Sequence, residues 1–276
     1  MGREIPHRRG AMPQMKQIFD IHAHIYPDAL AERAVHAISH TFYSVPIAQD
    51  GRLGTLLSDM ARAGITTTAI NSVATTAHQV ESINRFILSV HKAHPNETLP
   101  LAALHPDVPD LPATVDRLVE EGFRGVKIHP IFQDFNMDDP KGMALFAALA
   151  GKLPVLLHCG DPQRDNTSPE RILRVLRTCP GLELICAHLG GWTSWEQSAE
   201  VLAGADIWVD TSSSLYALDP DTAVRLMRAY GTDRVLFGTD FPVFDPAEEV
   251  ARFDALPLTQ AERRAILWEN HLRLFS

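Results

Sequence analysis

From residue 18 to the C-terminus, short strand-like apolar runs alternate with stretches where apolar residues recur at helical spacing. Runs of strand length fall at 18–22, 66–72, 99–104, 125–129, 154–158, 182–188, 206–210 and 234–239. Between them, Leu53, Leu56, Leu57 and Met60 follow the i, i+3, i+4, i+7 rule, and Gly64 stands where such a helix would stop. Val115, Leu118 and Val119 repeat the pattern before Gly122. Ser168-Pro169 reads as a helix N-cap followed by proline at the first helical position, and Thr259 with Glu262 as a capping box. Strands alternating with helices imply a parallel sheet, and eight such units in roughly 250 residues have the size of a (β/α)8 TIM barrel. A doubly wound open sheet has the same periodicity, so the pattern alone leaves both open. No repeat, low-complexity tract or linker divides residues 18–276, which read as a single domain.

Residues 1–17 break the pattern. Arg3, Arg8, Arg9 and Lys16 face only Glu4, with no apolar stretch of the kind a secretory signal needs. The segment reads as a disordered N-terminal arm, or as sequence upstream of a later start at Met12 or Met15. Over the whole chain, 45% apolar and 21% charged residues are ordinary globular usage, which excludes wholesale disorder. Acids outnumber bases, 34 to 25; a protein that binds nucleic acid by neutralising phosphates would be basic. No apolar run approaches the length of a transmembrane helix. Cys159, Cys179 and Cys186 are too few and too unevenly spaced for a disulfide framework, which points to a reducing, cytoplasmic compartment.

The chemistry-bearing residues sit at the ends of the predicted strands, where parallel barrels carry their active sites. His22 and His24 end the first strand; residues two apart on a strand point to the same face, so both imidazoles can reach one point. His158 ends the fifth strand, His188 the sixth, and Asp240 the eighth. Three imidazoles and a carboxylate form a suitable N/O shell for a divalent transition metal. One H-x-H pair arises often by chance, but five such positions at four strand ends are much more specific, because buried polar groups need partners and one metal ion supplies a partner to all of them. Lys127 and His129 share a face at the fourth strand; His129 could approach the site, but before Pro130 it is expected to support the ligands or be structural. Cys186 shares a predicted face with His188 and reads as a small core residue; Cys159 should point away from His158. The sequence contains no P-loop, no G-x-S-x-G elbow and no G-x-G-x-x-G after a strand.

These residues give the chain a family resemblance. It resembles the amidohydrolase superfamily, and within it the amidohydrolase-2 branch of TIM-barrel metal-dependent hydrolases related to aminocarboxymuconate semialdehyde decarboxylase. The likeness rests on Asp20-Ile21-His22-Ala23-His24, Gly125-Val126-Lys127-Ile128-His129-Pro130, Ala187-His188-Leu189-Gly190-Gly191 and Gly238-Thr239-Asp240-Phe241-Pro242. The segment Glu269-Asn270-His271-Leu272-Arg273-Leu274-Phe275 is similar to the family's closing helix. The resemblance implies a TIM barrel with His22, His24 and His158 as metal ligands. Asp240 would bind the metal and accept a proton from the activated water. His188 would be catalytic in a one-metal site, or a ligand in a two-metal site. Lys127 would bridge two ions if carboxylated; otherwise it contacts substrate or pairs with a barrel acid.

The ligand set favours one Zn2+ ion, with two ions possible; Mn2+, Ni2+ and Fe2+ also suit it. Arg164, in the loop after the fifth strand, could clamp a substrate carboxylate or remain a solvated charge, and Trp192 and Trp195 could wall a small-molecule pocket or meet a partner subunit. The resembling decarboxylases anchor their acids with arginines, one of them after the sixth strand, whereas residues 189–204 contain no Arg or Lys. This puts metal-dependent hydrolysis of a small lactone, amide or ester ahead. Decarboxylation of a small unsaturated or aromatic acid is the alternative, and a non-catalytic metal-binding barrel is the third reading. Symmetry statistics and the family both suggest a homodimer.

Overall fold

Eight parallel strands pair in chain order. They are β1 Phe19–His24, β2 Thr67–Asn71, β3 Thr98–Ala103, β4 Gly125–Ile128, β5 Val155–Leu157, β6 Leu184–Cys186, β7 Trp208–Asp210 and β8 Val235–Leu236. The cylinder closes where Ile21 N–H donates to the Phe237 carbonyl at 2.9 Å and Ala23 bridges Phe241 in parallel. The architecture is the (β/α)8 barrel, which disposes of the open-sheet alternative. The computed structural model describes residues 17–42 and 46–276, so the expected N-terminal arm, apart from Gln17, lies outside the described residues.

The helices are α1 Asp28–His36, α2 Leu53–Ala63, α3 Val80–Ala93, α4 Leu111–Glu120, α5 Pro140–Leu149, α6 Pro169–Thr178, α7 Trp195–Leu202, α8 Pro220–Tyr230, α9 Pro246–Asp254, α10 Gln260–Arg264 and α11 Asn270–Leu274. One start signal recurs: Asp110, Asp139, Asp219 and Asp245 each cap a helix N-terminus through the side chain, with proline in the first turn. The Thr259 and Glu262 capping box forms as predicted. Ser168 occupies the N-cap position before Pro169, but its side chain makes no capping bond. Gly64 ends α2 at φ 72°, and an added Cβ would meet nothing there, so glycine serves the left-handed backbone and not a tight contact. Among the described residues no helix is long and apolar enough to cross a membrane.

Two cores result. Phe19, Ile21, Leu101, Leu156, Ile185 and Leu236 belong to a cluster filling the barrel interior. A larger cluster lies between the strands and the helices; Ile70, Val126, Leu157 and Val209 meet Leu56, Ile87, Phe146 and Met227 there. β1 does not keep strict alternation. Its register against β2 shifts between Asp20 and Ala23, an extra residue in the manner of a bulge. Phe19 and Ile21 therefore join the interior, Ala23 and Ile25 join the helix-facing core, and His22 and His24 are left for the mouth. β8 is shorter than the predicted run, so Asp240 stands four residues past the strand in a loop.

Candidate metal centre

The Nε2 atoms of His22 and His24 lie 3.1 Å apart, and Asp240 Oδ1 is 3.4 Å from the first and 3.5 Å from the second. Ligand atoms about 2.1 Å from one ion stand about 3.4 Å apart in a tetrahedron, so this trio has the spacing of a metal-binding set. His22, His188 and Asp210 form a second group of the same compactness.

The hydrogen-bond network assigns the tautomers. Ser212 Oγ donates to Asp210 Oδ1 at 2.5 Å, which leaves that hydroxyl only lone pairs to offer its other neighbours. His22 Nδ1 lies 3.0 Å from Asp210 Oδ2 and 2.9 Å from Ser212 Oγ, so it carries the hydrogen and donates. His188 Nδ1 likewise donates toward Ser212, 2.9 Å from Oγ and 3.2 Å from the carbonyl. Both rings therefore turn an Nε2 lone pair to the site. His158 donates from Nε2 to the Gly160 carbonyl at 3.0 Å, which leaves its lone pair on Nδ1, 3.0 Å from His188 Nε2. Lone pairs converging in a buried site repel each other and favour a cation. That donor chemistry fits a divalent metal.

The electrostatics agree. Burial pushes the His22 imidazole down to about 4, with Lys127 adding to the effect. Burial also lowers His24 and His188, and holds His158 and His129 well below the usual range. The rings are thus neutral at pH 7, the form that can ligate. Burial works against ionisation of Asp240, but the surrounding histidines outweigh it and hold the carboxyl well below its ordinary value. Asp210 shows the same balance: burial raises it, His22 and its hydrogen bonds prevail, and it sits at about 2. Lys127 is fully buried on β4, with Nζ 3.0 Å from His22 Nε2; burial lowers its amine to about 8.

Local backbone aims these groups. His188 and Asp240 both adopt φ 61°, left-handed for residues that carry a Cβ. Such a conformation costs of order 1 kcal/mol or more per residue and persists only where the surroundings impose it. Here they do. His188 N–H donates to Asp210 Oδ1 at 2.9 Å, Asp240 N–H donates to the His22 carbonyl at 2.8 Å, and Ser213 Oγ donates to Asp240 Oδ2. Asp20 accepts from His22 N–H at 2.9 Å and from Thr239 Oγ1 at 2.7 Å, tying β1 to the loop that carries Asp240. The left-handed turn at His188 also corrects one expectation. Cys186 belongs to the helix-facing core with Cys159, so His188 reaches the site by a change of backbone direction and not by sharing the face of Cys186.

A cavity of about 1000 Å3 opens over the cluster. His22, His24, His129, His158, His188 and Asp240 line its floor, and Phe86, Phe132, Trp192, Tyr216 and Phe244 are among its walls. Trp192 donates from Nε1 to the Tyr216 hydroxyl at 3.2 Å. His129 stacks at 3.9 Å on His158, on the floor beside the ligand atoms. Trp195 is not a wall; its Nε1 donates to Ser214 Oγ at 3.0 Å. Arg164 is exposed in its loop and does not line the cavity. Asp210, Ser212 and Ser213 went unnoticed in the sequence. Their signal is an aspartate ending a strand and followed by Thr211 and three serines, which also reads as an ordinary turn.

Comparison with known proteins agrees with the geometry. The family described as Amidohydrolase (amidohydrolase-2) matches residues 19–276, and the chain belongs to that family. No curated protein matches the chain. An uncharacterised TIM-barrel protein from Bordetella bronchiseptica superposes with a TM-score of 0.77 at 22% identity, covering 94% of this chain and 98% of that one. A dihydroxybenzoic acid decarboxylase from Polaromonas sp. JS666, with bound manganese, gives 0.73 at 16% identity over 95% and 97% of the two chains. A protein described as a candidate 2-pyrone-4,6-dicarboxylic acid hydrolase from Pseudomonas putida gives 0.67 at 23% identity over 94% and 97%. Family membership and the clustered His, His and Asp at the barrel mouth mark the chain as an enzyme with a divalent-metal site.

Proposed function

We propose that the protein is a metal-dependent decarboxylase of a small aromatic or unsaturated carboxylic acid. The observation that carries this reading is a neutral-histidine and carboxylate cluster on the floor of a cavity walled by aromatic rings. Such a cavity binds a flat ring by stacking and strips water from the carboxylate, which favours dispersal of its charge as CO2 departs. Several structural relatives are aromatic-acid decarboxylases, which moves the balance from hydrolysis toward this reaction.

His22, His24, His158 and Asp240 would hold one divalent ion, with Asp210 fixing His22 in the ligating tautomer. When bound, the ion supplies Lewis-acid polarisation of the substrate oxygens beside the breaking bond. Zinc suits the imidazole-rich set, while the Polaromonas relative carries manganese. Asp240, ionised at neutral pH, takes a proton from a substrate hydroxyl or water and returns it to the carbon that CO2 leaves. His188 Nε2 is the second group placed to hand on that proton. Lys127, in its unmodified form, lies beneath the cavity lining with its amine 3.0 Å from His22 Nε2, so it would act on that ligand and not on a substrate oxygen. Trp192 forms part of the ring-binding wall. Three unpaired, buried cysteines support a reducing compartment such as the cytoplasm.

A second reading is hydrolysis of a small lactone, amide or ester. It is supported by the lack of any Arg or Lys in residues 189–204 and by the hydrolase-like relative from Pseudomonas putida. Product analysis on metal-reconstituted enzyme separates the two. A panel of hydroxybenzoates should release CO2 and leave the decarboxylated phenol. Ring opening of lactones with no CO2 from any acid would replace the proposal with hydrolysis.

A further inference from the structure

The hydrogen bonds that fix His22, His158 and His188 leave one imidazole of the cluster out. His24 turns Nε2 to the site, 3.1 Å from His22 Nε2 and 3.5 Å from Asp240 Oδ1. A cation held there takes the Nε2 lone pair, so the ring hydrogen belongs on Nδ1. That Nδ1 is buried and has no hydrogen-bond partner among the described residues. A ligating histidine normally donates from its second ring nitrogen to an acceptor, which sets the tautomer and holds the ring in line.

The neighbouring strand carries the complementary group. Where β1 pairs with β2, His24 stands opposite Asn71, the last residue of β2. Asn71 is fully buried. Its Nδ2 donates to the Ala23 carbonyl at 3.0 Å, which fixes the orientation of the amide. Its Oδ1, an acceptor, has no partner among the described residues. One buried donor and one buried acceptor, side by side across a strand pair, thus each lack what the other offers. Buried polar groups are seldom left unmet. We infer that Asn71 is the positioning residue of His24: in the metal-loaded enzyme its Oδ1 accepts the Nδ1 hydrogen, as Asp210 does for His22. The two acceptors differ in charge. A carboxylate raises the basicity of its ring more than a neutral amide does, so His22 is the firmer and His24 the weaker of the two ligands that β1 contributes.

The two ends of the Asn71 amide separate this role from a structural one. The Nδ2 bond to Ala23 serves the strand pair, and only Oδ1 can serve His24. Asn71→Asp keeps an acceptor and gives up the donor; Asn71→Leu gives up both. Competition between each protein and a chelator for Zn2+ should show binding weakened about tenfold to a hundredfold in Asn71→Leu, and at least as tight as wild type in Asn71→Asp. Thermal melts of the metal-free variants establish that they fold. Asp as damaging to affinity as Leu, or wild-type affinity in Asn71→Leu, would overturn the inference. If neither variant folds, nitrogen-15 imidazole spectra of the Zn2+-loaded wild type decide. The expected result is a slowly exchanging hydrogen on His24 Nδ1; a freely exchanging one, or none, would overturn the inference. It rests on His24 being a ligand, which His24→Ala tests separately. Unchanged affinity in His24→Ala removes the ligand and the inference together, whereas metal lost there but kept in Asn71→Leu removes the role of Asn71 alone.

Discussion

The two ends of the barrel are built on opposite terms. At the base, beneath the strands' N-terminal ends, apolar and aromatic packing dominates and one amide serves two carbonyls, with His271 Nδ1 the buried ring nitrogen left without a partner among the described residues. Asn270 donates both amide hydrogens, to the Thr232 carbonyl at 2.9 Å and the Val235 carbonyl at 2.7 Å. Trp208 is buried with two guanidinium groups near its ring, Arg234 at 4.8 Å and Arg273 at 5.5 Å, and Phe19 stacks on His271 at 4.0 Å. At the mouth, buried imidazoles face one another lone pair to lone pair, and His24 Nδ1 has no partner. The strained backbone is there too: Asp134, His188, Leu189, Thr193, Ser213 and Asp240, all in loops after strands, hold positive φ. The base is arranged for stability, and the mouth gives up stability to hold donors ready for a cation and a substrate.

Substitutions at the two ends should therefore have different signatures. The largest effect belongs to the mouth. His22→Ala should lower turnover by on the order of 10³-fold while leaving the melting temperature of the metal-free protein within a few degrees. A steady-state assay beside a thermal melt reads both, and substantial activity in this variant would break the contrast. Asp210→Asn removes the carboxylate that fixes the His22 tautomer, and metal affinity should weaken about tenfold to a hundredfold. Competition with a chromogenic chelator measures this. An unchanged affinity would mean that Asp210 serves only the fold.

The base should answer the other way. Trp208→Ala should cost about 3–5 kcal/mol in urea unfolding, with metal content per folded chain unaltered. Asn270→Ala, which strands two buried carbonyls, should cost about 1–3 kcal/mol. Either variant losing metal while keeping its stability would erase the distinction between the ends.

The smallest effect is one of pH. Burial lowers His271 to about 4 from an unfolded value of 6.5. Between those values the unfolded chain binds more protons, so the stabilisation present above pH 6.5 is lost as pH falls toward 4. His271→Leu should narrow the difference in metal-free stability between pH 7 and pH 4.5. A difference as wide as in the wild type would assign the whole pH response to the mouth histidines.

The strands were legible because a barrel buries both faces of each one, leaving continuous apolar runs separated by helical periodicity. His22 and His24 were legible because their spacing of two survives the bulge in β1; the bulge was not, since nothing in Asp20-Ile21-His22-Ala23 marks an extra residue. His188 and Asp240 were identified from their motifs, but strand parity could not place them, because left-handed backbone turns both side chains inward. Asp210 and Ser212 act on His22 and His188, which other strands contribute, a relation that exists in space and not in sequence.

Elemental analysis of the purified protein, after reconstitution and removal of excess metal, tests the metal centre most directly. The clustered donors of His22, His24, His158 and Asp240 lead to an expected value of about one divalent ion per chain, lost in His22→Ala. About two ions, rising with bicarbonate, would instead make Lys127 a carboxylated bridge and His188 a ligand. A wild-type chain that takes up no metal would contradict the centre and the chemistry built on it.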